Sequence, residues 1–402
     1  MMKKLFTLLL GLSCTALSAQ SLHQIQVDVV YLASELLAGR ETGQPGEQLA
    51  AEHIAARFAD MGLKPAGTSY YQTFDFSYSA NPHATEGETR TGRNVVGLLD
   101  FGAASTVVIG AHYDHLGSGA TGSLHAQGPA IHNGADDNAS GVAALLYLAE
   151  KLASGALPGH NYVFVAFSGE ELGLYGSKHY VKHPAIPNDQ VSYMINMDMV
   201  GRLDAEHNLV INGVGTSPRW KTAFEQIEQP EMQLTTTESG VGPSDHTSFY
   251  LADIPAIHFF TGTHSDYHKP SDDSPKVNFE GIQAISEWIY ALIAELDTAG
   301  KLAFSKTKEE SQRQASAFKV SLGVMPDYTG SEAVGMRIDA VLEDRPAIKA
   351  GLLAGDVIIQ IGEVAVKDIY DYMEGLSAYE PGQQAEVKVR RGEEELTFTV
   401  QF

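Results

Sequence analysis

The sequence predicts an α/β fold, with a mostly parallel central sheet and helices on both faces, followed by a small β-rich domain. Two continuous apolar runs, Thr106-Val107-Val108-Ile109-Gly110 and Val163-Phe164-Val165-Ala166-Phe167, read as strands buried on both faces, as in parallel sheets. Apolar residues recur at helical spacing in Val142, Leu145, Leu146, Ala149 and Leu152, and again in Ile282, Ile285, Ile289, Leu292 and Leu296. Strands alternating with helices give a sheet covered on both sides. Beyond residue 317 the texture changes to short strand-like pieces punctuated by glycines.

The segments follow in order. Met1-Met2-Lys3-Lys4, the apolar stretch from Leu5 to Leu17 and the small pair Ser18-Ala19 make residues 1–19 a secretory signal peptide, cleaved after Ala19. The stretch is too short to span a bilayer, and no later segment qualifies, so no transmembrane segment is expected. The mature protein is expected to be secreted or periplasmic. Cys14, the single cysteine, falls in this leader behind a poor lipidation motif, so the mature chain has no disulfide. Residues 20–300 form the larger domain; Tyr193-Met194-Ile195 and Ile257-His258-Phe259-Phe260 are its shorter strand candidates. The polar, charged, weakly periodic stretch 301–317 reads as a linker, and residues 318–402 as the smaller domain. A length of 402 residues suits two domains, and a 44% hydrophobic content suffices for real cores. A net charge of -23 argues against nucleic acid and anionic membranes as partners, since both attract basic surfaces.

Five short segments carry chemistry, and they follow or end the expected strands or open a helix. They are Ala111-His112-Tyr113-Asp114-His115-Leu116-Gly117, Gly134-Ala135-Asp136-Asp137-Asn138-Ala139-Ser140-Gly141, Ser168-Gly169-Glu170-Glu171-Leu172-Gly173, Asn196-Met197-Asp198-Met199-Val200-Gly201 and Tyr267-His268-Lys269-Pro270-Ser271-Asp272-Asp273. Open α/β sheets bind ligands beyond the carboxyl ends of their strands, so segments far apart in sequence can converge there. Histidines with carboxylates and no cysteine suit Zn²⁺. Two ions need about five protein ligands if one carboxylate bridges them, and a further carboxylate must stay off the metals to accept a proton. The adjacent pair Glu170-Glu171 can supply both roles.

The H-x-D, G-A-D-D-N-A-S-G, E-E-x-G, D-M and Y-H-x-P-x-D elements, in this order and spacing, resemble the co-catalytic zinc aminopeptidases of the aminopeptidase S and Y kind, relatives of glutamate carboxypeptidase and glutaminyl cyclase. The resemblance covers residues from about 22 to 298 and implies the zinc exopeptidase fold. It also implies two zinc ions, with His112 and His268 as ligands of different ions, Asp137 bridging, and Glu171 and Asp198 completing the sets. It makes Glu170 the general base acting on a water between the ions, Asp114 the carboxylate orienting His112, and Tyr267 a donor to the developing oxyanion. Asp136 is the rival of Asp137 for the bridging place, and the resemblance favours Asp137. His115, His125, His132, His246, His258 and His264 are expected outside the ligand set, and Ser244-Asp245-His246 near the pocket. A cis peptide after Asp137 is implied as well. The implied activity is hydrolysis of the N-terminal peptide bond of peptides with a free N-terminus. The alternatives are a single-zinc glutaminyl cyclase and a catalytically inactive peptide-binding protein. A serine-hydrolase reading fails for want of a G-x-S-x-G elbow.

In the smaller domain, Ser321-Leu322-Gly323-Val324, Ala350-Gly351-Leu352, Gly355-Asp356-Val357-Ile358-Ile359-Gln360-Ile361 and Pro381-Gly382, with a short helix from Asp368 to Leu376, resemble a PDZ domain of the bacterial protease-associated type. That resemblance implies capture of a peptide C-terminus along the edge that follows Ser321.

Overall fold

In a computed structural model the described residues are 21–78, 87–125, 127–228, 230–307, 320–326, 335–341, 345–367, 369–392 and 394–402. The expected signal peptide, with Cys14, and the linker residues from 308 onward lie outside them. The chain divides into two units, up to Ser305 and from Lys306.

The first unit begins with helices α1 (21–32) and α2 (Pro45–Asp60). Strands β1 (Lys64–Pro65), β2 (Tyr71–Tyr78), β3 (Glu88–Leu99) and β4 (Thr106–His112) follow, then α3 (Gly141–Ala153), β5 (Asn161–Phe167), α4 (Tyr175–Lys182) and β6 (Val191–Met197). The unit continues through β7 (Asn208–Asn212), α5 (Arg219–Phe224), β8 (Gln233–Thr236), α6 (His246–Tyr250), β9 (Ala256–Phe260) and α7 (Phe279–Leu296). The sheet runs β1-β3-β5-β4-β6-β9-β7-β8, with β2 on the same edge of β3 as β1, away from β5. Its centre, β5-β4-β6-β9, is parallel throughout, and these are the four runs singled out in the sequence. Antiparallel pairings, β3 on β5 and β7 on β9, flank the centre.

The alternation of the strands explains the two layers of helices. Val107 and Ile109 of β4 face a core shared with Ile54 and Phe58 of α2, Val142 and Leu145 of α3, and Ile285 and Ile289 of α7. Val108, between them, faces Tyr180 of α4 and Phe249 of α6. Each such side chain, fully buried, contributes about 1.5–3 kcal/mol. Helix α7 starts where the Asn278 side chain accepts the Gly281 N–H at 2.8 Å. Register aligns the strand ends: His112 is paired with Phe167, and Met197 with Phe259. The residues that follow these strands therefore emerge together along one edge of the sheet.

Two features differ from the sequence reading. The β2–β3 hairpin was not foreseen, because β2 buries only alternate residues, Phe74, Phe76 and Tyr78, and lacks a continuous apolar run. Leu302, read as linker, is buried in the first unit's core, and its N–H donates to Ser192 Oγ at 3.1 Å.

The second unit contains β10 (Val324–Pro326), β11 (Met336–Val341), α8 (Pro346–Ala350), β12 (Val357–Ile361), β13 (Val364–Ala365), α9 (Ile369–Ser377), β14 (Gln384–Arg391) and β15 (Glu394–Gln401). Its antiparallel sheet runs β10-β11-β12-β14-β15, so β10 lies at one end. Leu322, Ile338, Leu352, Ile358, Ile361, Val387 and Val400 form a core of its own. Asp356 is buried beneath the Gly355 turn, where it accepts the Leu353 N–H at 2.9 Å and the Arg391 Nε–H at 2.6 Å.

Candidate metal centre

Three of the strand ends at the centre of the sheet each place a candidate residue directly. His112 closes β4, Glu170 and Glu171 follow β5, Asp198 follows β6, and His268 lies on the long connection after β9. Asp137 sits in a turn, 135–140, that precedes α3; Asp137 and Asn138 leave helical conformation there, and the peptide between them is cis. The Asn138 side chain locks the turn in place: Oδ1 accepts the N–H groups of Gly141 and Met199, and Nδ2 donates to Met197 O. The bridging candidate is thus tied to the end of β6.

The side chains converge in two groups that share Asp137. In the first, His112 Nε2 lies 3.3 Å from Asp137 Oδ1 and 3.2 Å from Asp198 Oδ1. In the second, His268 Nε2 lies 3.2 Å from Asp137 Oδ2 and 3.2 Å from Glu171 Oε2. The carboxylate of Asp137 therefore turns one oxygen to each histidine. His115 stands in the second group as well, with Nδ1 2.7 Å from Glu171 Oε1 and 3.9 Å from Asp137 Oδ2.

A layer of hydrogen bonds and polar contacts fixes these groups. His268 Nδ1 lies 2.9 Å from Gly122 O, which leaves Nε2 directed at the carboxylates. Ser244 donates to Asp198 Oδ2 at 2.7 Å. Asp272 Oδ2 accepts the N–H groups of Asp136 and Asp137 at 2.9 and 3.1 Å. Asp136 turns away from the centre: Oδ1 accepts the Gly201 N–H at 2.6 Å, and Oδ2 lies 3.0 Å from His264 Nε2. Asp114 meets His112 Nδ1 through its main-chain carbonyl at 3.2 Å and through Oδ1 at 3.6 Å. The same carboxylate accepts from Thr42 Oγ1 at 3.0 Å and from the Glu170 N–H at 3.2 Å. Below lies the fully buried Arg40, whose guanidinium donates to the carbonyls of Tyr113, Asn133, Gly134 and Leu32.

The electrostatics call for cations. Burial pushes Glu170 well above the usual carboxylate range; His112 opposes this, while Asp198, Glu171 and Asp245 reinforce it. Burial would also raise Glu171, yet His268 and His115 bring it down to about 2. Burial disfavours charge on His112 and His268, but the carboxylates around them hold both well above the ordinary imidazole value. Burial raises Asp245 to about 7, against the opposing pull of His112 and Ser177. Donor-to-donor spacings of 3.2–3.3 Å in both groups match the edge of a tetrahedron around zinc, roughly 3.3 Å for bonds of about 2.0 Å. The residues present thus fit zinc in donor type and spacing.

His112, Asp137, Glu171, Asp198 and His268 are all brought together, with Glu170 and Asp114 beside them. Tyr267 lies at the rim, its ring stacked on that of His268 at 3.9 Å and packed near Met199 and Phe260. Sequence reading did not anticipate the placement of His115 or the contacts of Arg40, Thr42, His264 and Asp272. Ser244 and Asp272 lay inside quoted motifs, so a role near the centre was open to inference; Arg40 and Thr42 carried no signal.

The peptidase family M28 profile matches residues 94–293, and the PDZ domain profile matches residues 306–402. An aminopeptidase of Bacillus subtilis, YwaD, is 28% identical over 225 residues, which cover 51% of this chain and 45% of that protein. The chain thus spans less than half of that relative's length. Among solved structures, a zinc aminopeptidase from Bacillus subtilis superposes with a TM-score of 0.55 at 18% identity, covering 71% of this chain and 98% of that one. A glutaminyl cyclase from Bacteroides thetaiotaomicron gives a TM-score of 0.53 at 17% identity, covering 68% of this chain and 97% of that one. These likenesses establish the fold, which aminopeptidase and cyclase share. With both profile matches, the chain belongs to peptidase family M28 and carries a PDZ domain after its peptidase domain.

Proposed function

We propose that the protein is an exported aminopeptidase dependent on two zinc ions, which removes N-terminal residues from peptides with a free N-terminus. The observation that carries this reading is the Asp137 carboxylate, which turns one oxygen to His112 at 3.3 Å and the other to His268 at 3.2 Å. His112, Asp137 and Asp198 would hold one ion; His268, Asp137 and Glu171 would hold the other. When bound, the pair supplies an acidified water and a polarised substrate carbonyl. Glu170 accepts the proton of the attacking water and returns it to the leaving amine. Its main-chain N–H is anchored on Asp114, which fixes the base while leaving its carboxylate outside both metal groups. Tyr267 donates its hydroxyl to the oxyanion as charge develops. A single-zinc glutaminyl cyclase would need only one of the two groups, whereas the meeting of both on Asp137 supports the two-ion reading.

Export rests on the leader at residues 1–19; among the described residues no helix is long and apolar enough to cross a membrane. In the second unit, β10 lies at an end of the sheet and would accept a peptide C-terminus as an added strand.

The test is metal analysis of the mature protein together with a panel of aminoacyl-anilides. Two equivalents of zinc and turnover of at least one free-amine substrate are expected. One equivalent with cyclisation of N-terminal glutamine, or no turnover of any free-amine substrate, would overturn the reading.

A further inference from the structure

His115 raises a question that the five implied ligands do not answer, because the second metal group holds two imidazoles where the first holds one. Distance separates their roles. His268 Nε2 keeps 3.2 Å from both carboxylates of its group, a tetrahedral edge, whereas His115 Nδ1 approaches Glu171 Oε1 to 2.7 Å. Two ligands of one zinc ion that close would subtend roughly 80° at bonds of about 2.05 Å, too acute for a tetrahedral site. The 2.7 Å contact is a charge-assisted hydrogen bond, with Nδ1–H donating to the carboxylate.

The ring of His115 is held independently of Glu171. Its main-chain N–H donates to Arg40 O at 3.2 Å. One side of the ring lies against Gly134, where a Cβ would fall 2.5 Å from His115 Cδ2. The His268 ring meets it edge-on at 5.9 Å. His115 is buried, and among the described residues its Nε2 has no hydrogen-bond partner, so Glu171 is its polar attachment. The two oxygens of Glu171 are thereby given different work: Oε1 accepts from His115, and Oε2 faces His268 and the metal place.

We infer that His115 is a positioning residue that holds Glu171 in one-oxygen presentation to the second metal, and is not itself a ligand. The inference rests on the two-metal reading above. The test titrates wild type, His115→Ala and His115→Asn with Zn²⁺ against a competing chelator, and records the visible spectrum of each protein loaded with Co²⁺. Asparagine places an N–H close to where Nδ1 stands but cannot replace a ligating imidazole. In His115→Ala the first equivalent should bind as in wild type and the second 10–100-fold more weakly. His115→Asn should recover the second affinity to within a few-fold, with an unchanged Co²⁺ spectrum. His115→Asn as weak as His115→Ala, or with a shifted Co²⁺ band, would make His115 a ligand and overturn the inference. A second equivalent bound normally by His115→Ala would overturn it too. Both of these leave the two-metal reading standing. A wild type that takes up only one equivalent sinks that reading and this inference together.

Discussion

Glu170 lies next to both metal groups yet belongs to neither, and burial keeps its carboxyl hungry for a proton. Glu170→Gln preserves shape and hydrogen-bonding capacity but removes the carboxylate proposed as the base. It should lower kcat by about 10²–10⁴ while KM and zinc content stay within a few-fold, checked by steady-state kinetics beside metal analysis. A variant retaining wild-type kcat would remove Glu170 from the mechanism. Asp272 offers a contrasting residue-scale case, since it touches no ligand side chain and instead accepts two buried main-chain N–H groups, one from Asp137. Asp272→Ala leaves both unsatisfied and should cost about 3 kcal/mol in chemical denaturation. The motif Y-H-x-P-x-D announced that Asp272 mattered, but the sequence did not reveal that its partner was the turn after Gly134, because that pairing joins loops more than a hundred residues apart.

At the scale of elements, β4 and β5 were legible because burial on both faces leaves an unbroken apolar run, and β6 and β9 because each kept a shorter apolar stretch. The β2–β3 hairpin was not, because a one-sided strand spreads its signal over alternate residues. The turn 135–140 shows how tightly such an element is specified. Gly134 has φ +56°, and a Cβ there would lie 2.1 Å from Asp137 O. Gly134→Ala should therefore displace the Asp137 carboxylate and reduce both zinc content and turnover at least tenfold. Wild-type metal content in that variant would contradict the account of the turn. The connection carrying His268 is braced through Asp266, which accepts from Lys276 Nζ at 2.6 Å and Ser271 Oγ at 2.7 Å. Burial alone would raise its pKa, but these bonds, with the charges of Lys276 and Arg202, bring it down to about 2. A lowered carboxylate pKa stabilises the fold at pH values above the free-chain value of 3.8, and that contribution fades as pH falls through about 2. Asp266→Asn should be less stable than wild type at pH 7 by about 0.5–1 kcal/mol, as for partly exposed ion pairs. The gap should close toward pH 2 in acid-unfolding curves; a gap that persists there would assign the bracing to something other than charge.

For the whole molecule, the two units hold separate cores, and among the described residues both metal groups lie in the first. Calorimetry should resolve two transitions, only one of which responds to chelator. Ions bound at about a thousandfold excess over Kd stabilise by about 4 kcal/mol, so stripping them should lower that transition by on the order of 10 °C. Two transitions moving together would contradict independent cores. The change in texture near residue 317 pointed to a second β-rich unit, and the structure carries the first unit's core through Leu302, inside the stretch 301–317 read as a linker.

Arg40 has a consequence at this scale. The fully buried guanidinium gathers carbonyls from the end of α1, from the segment after β4 and from the loop before Asp137. Burial brings its pKa only down to about 10, so it stays positively charged at neutral pH. It acts as a keystone set shortly after α1, beneath an arch built from residues synthesised much later. Helix α1 is thus part of the floor beneath the candidate metal centre, and a nick between residues 32 and 40 would leave the chain intact elsewhere but the arch unsupported.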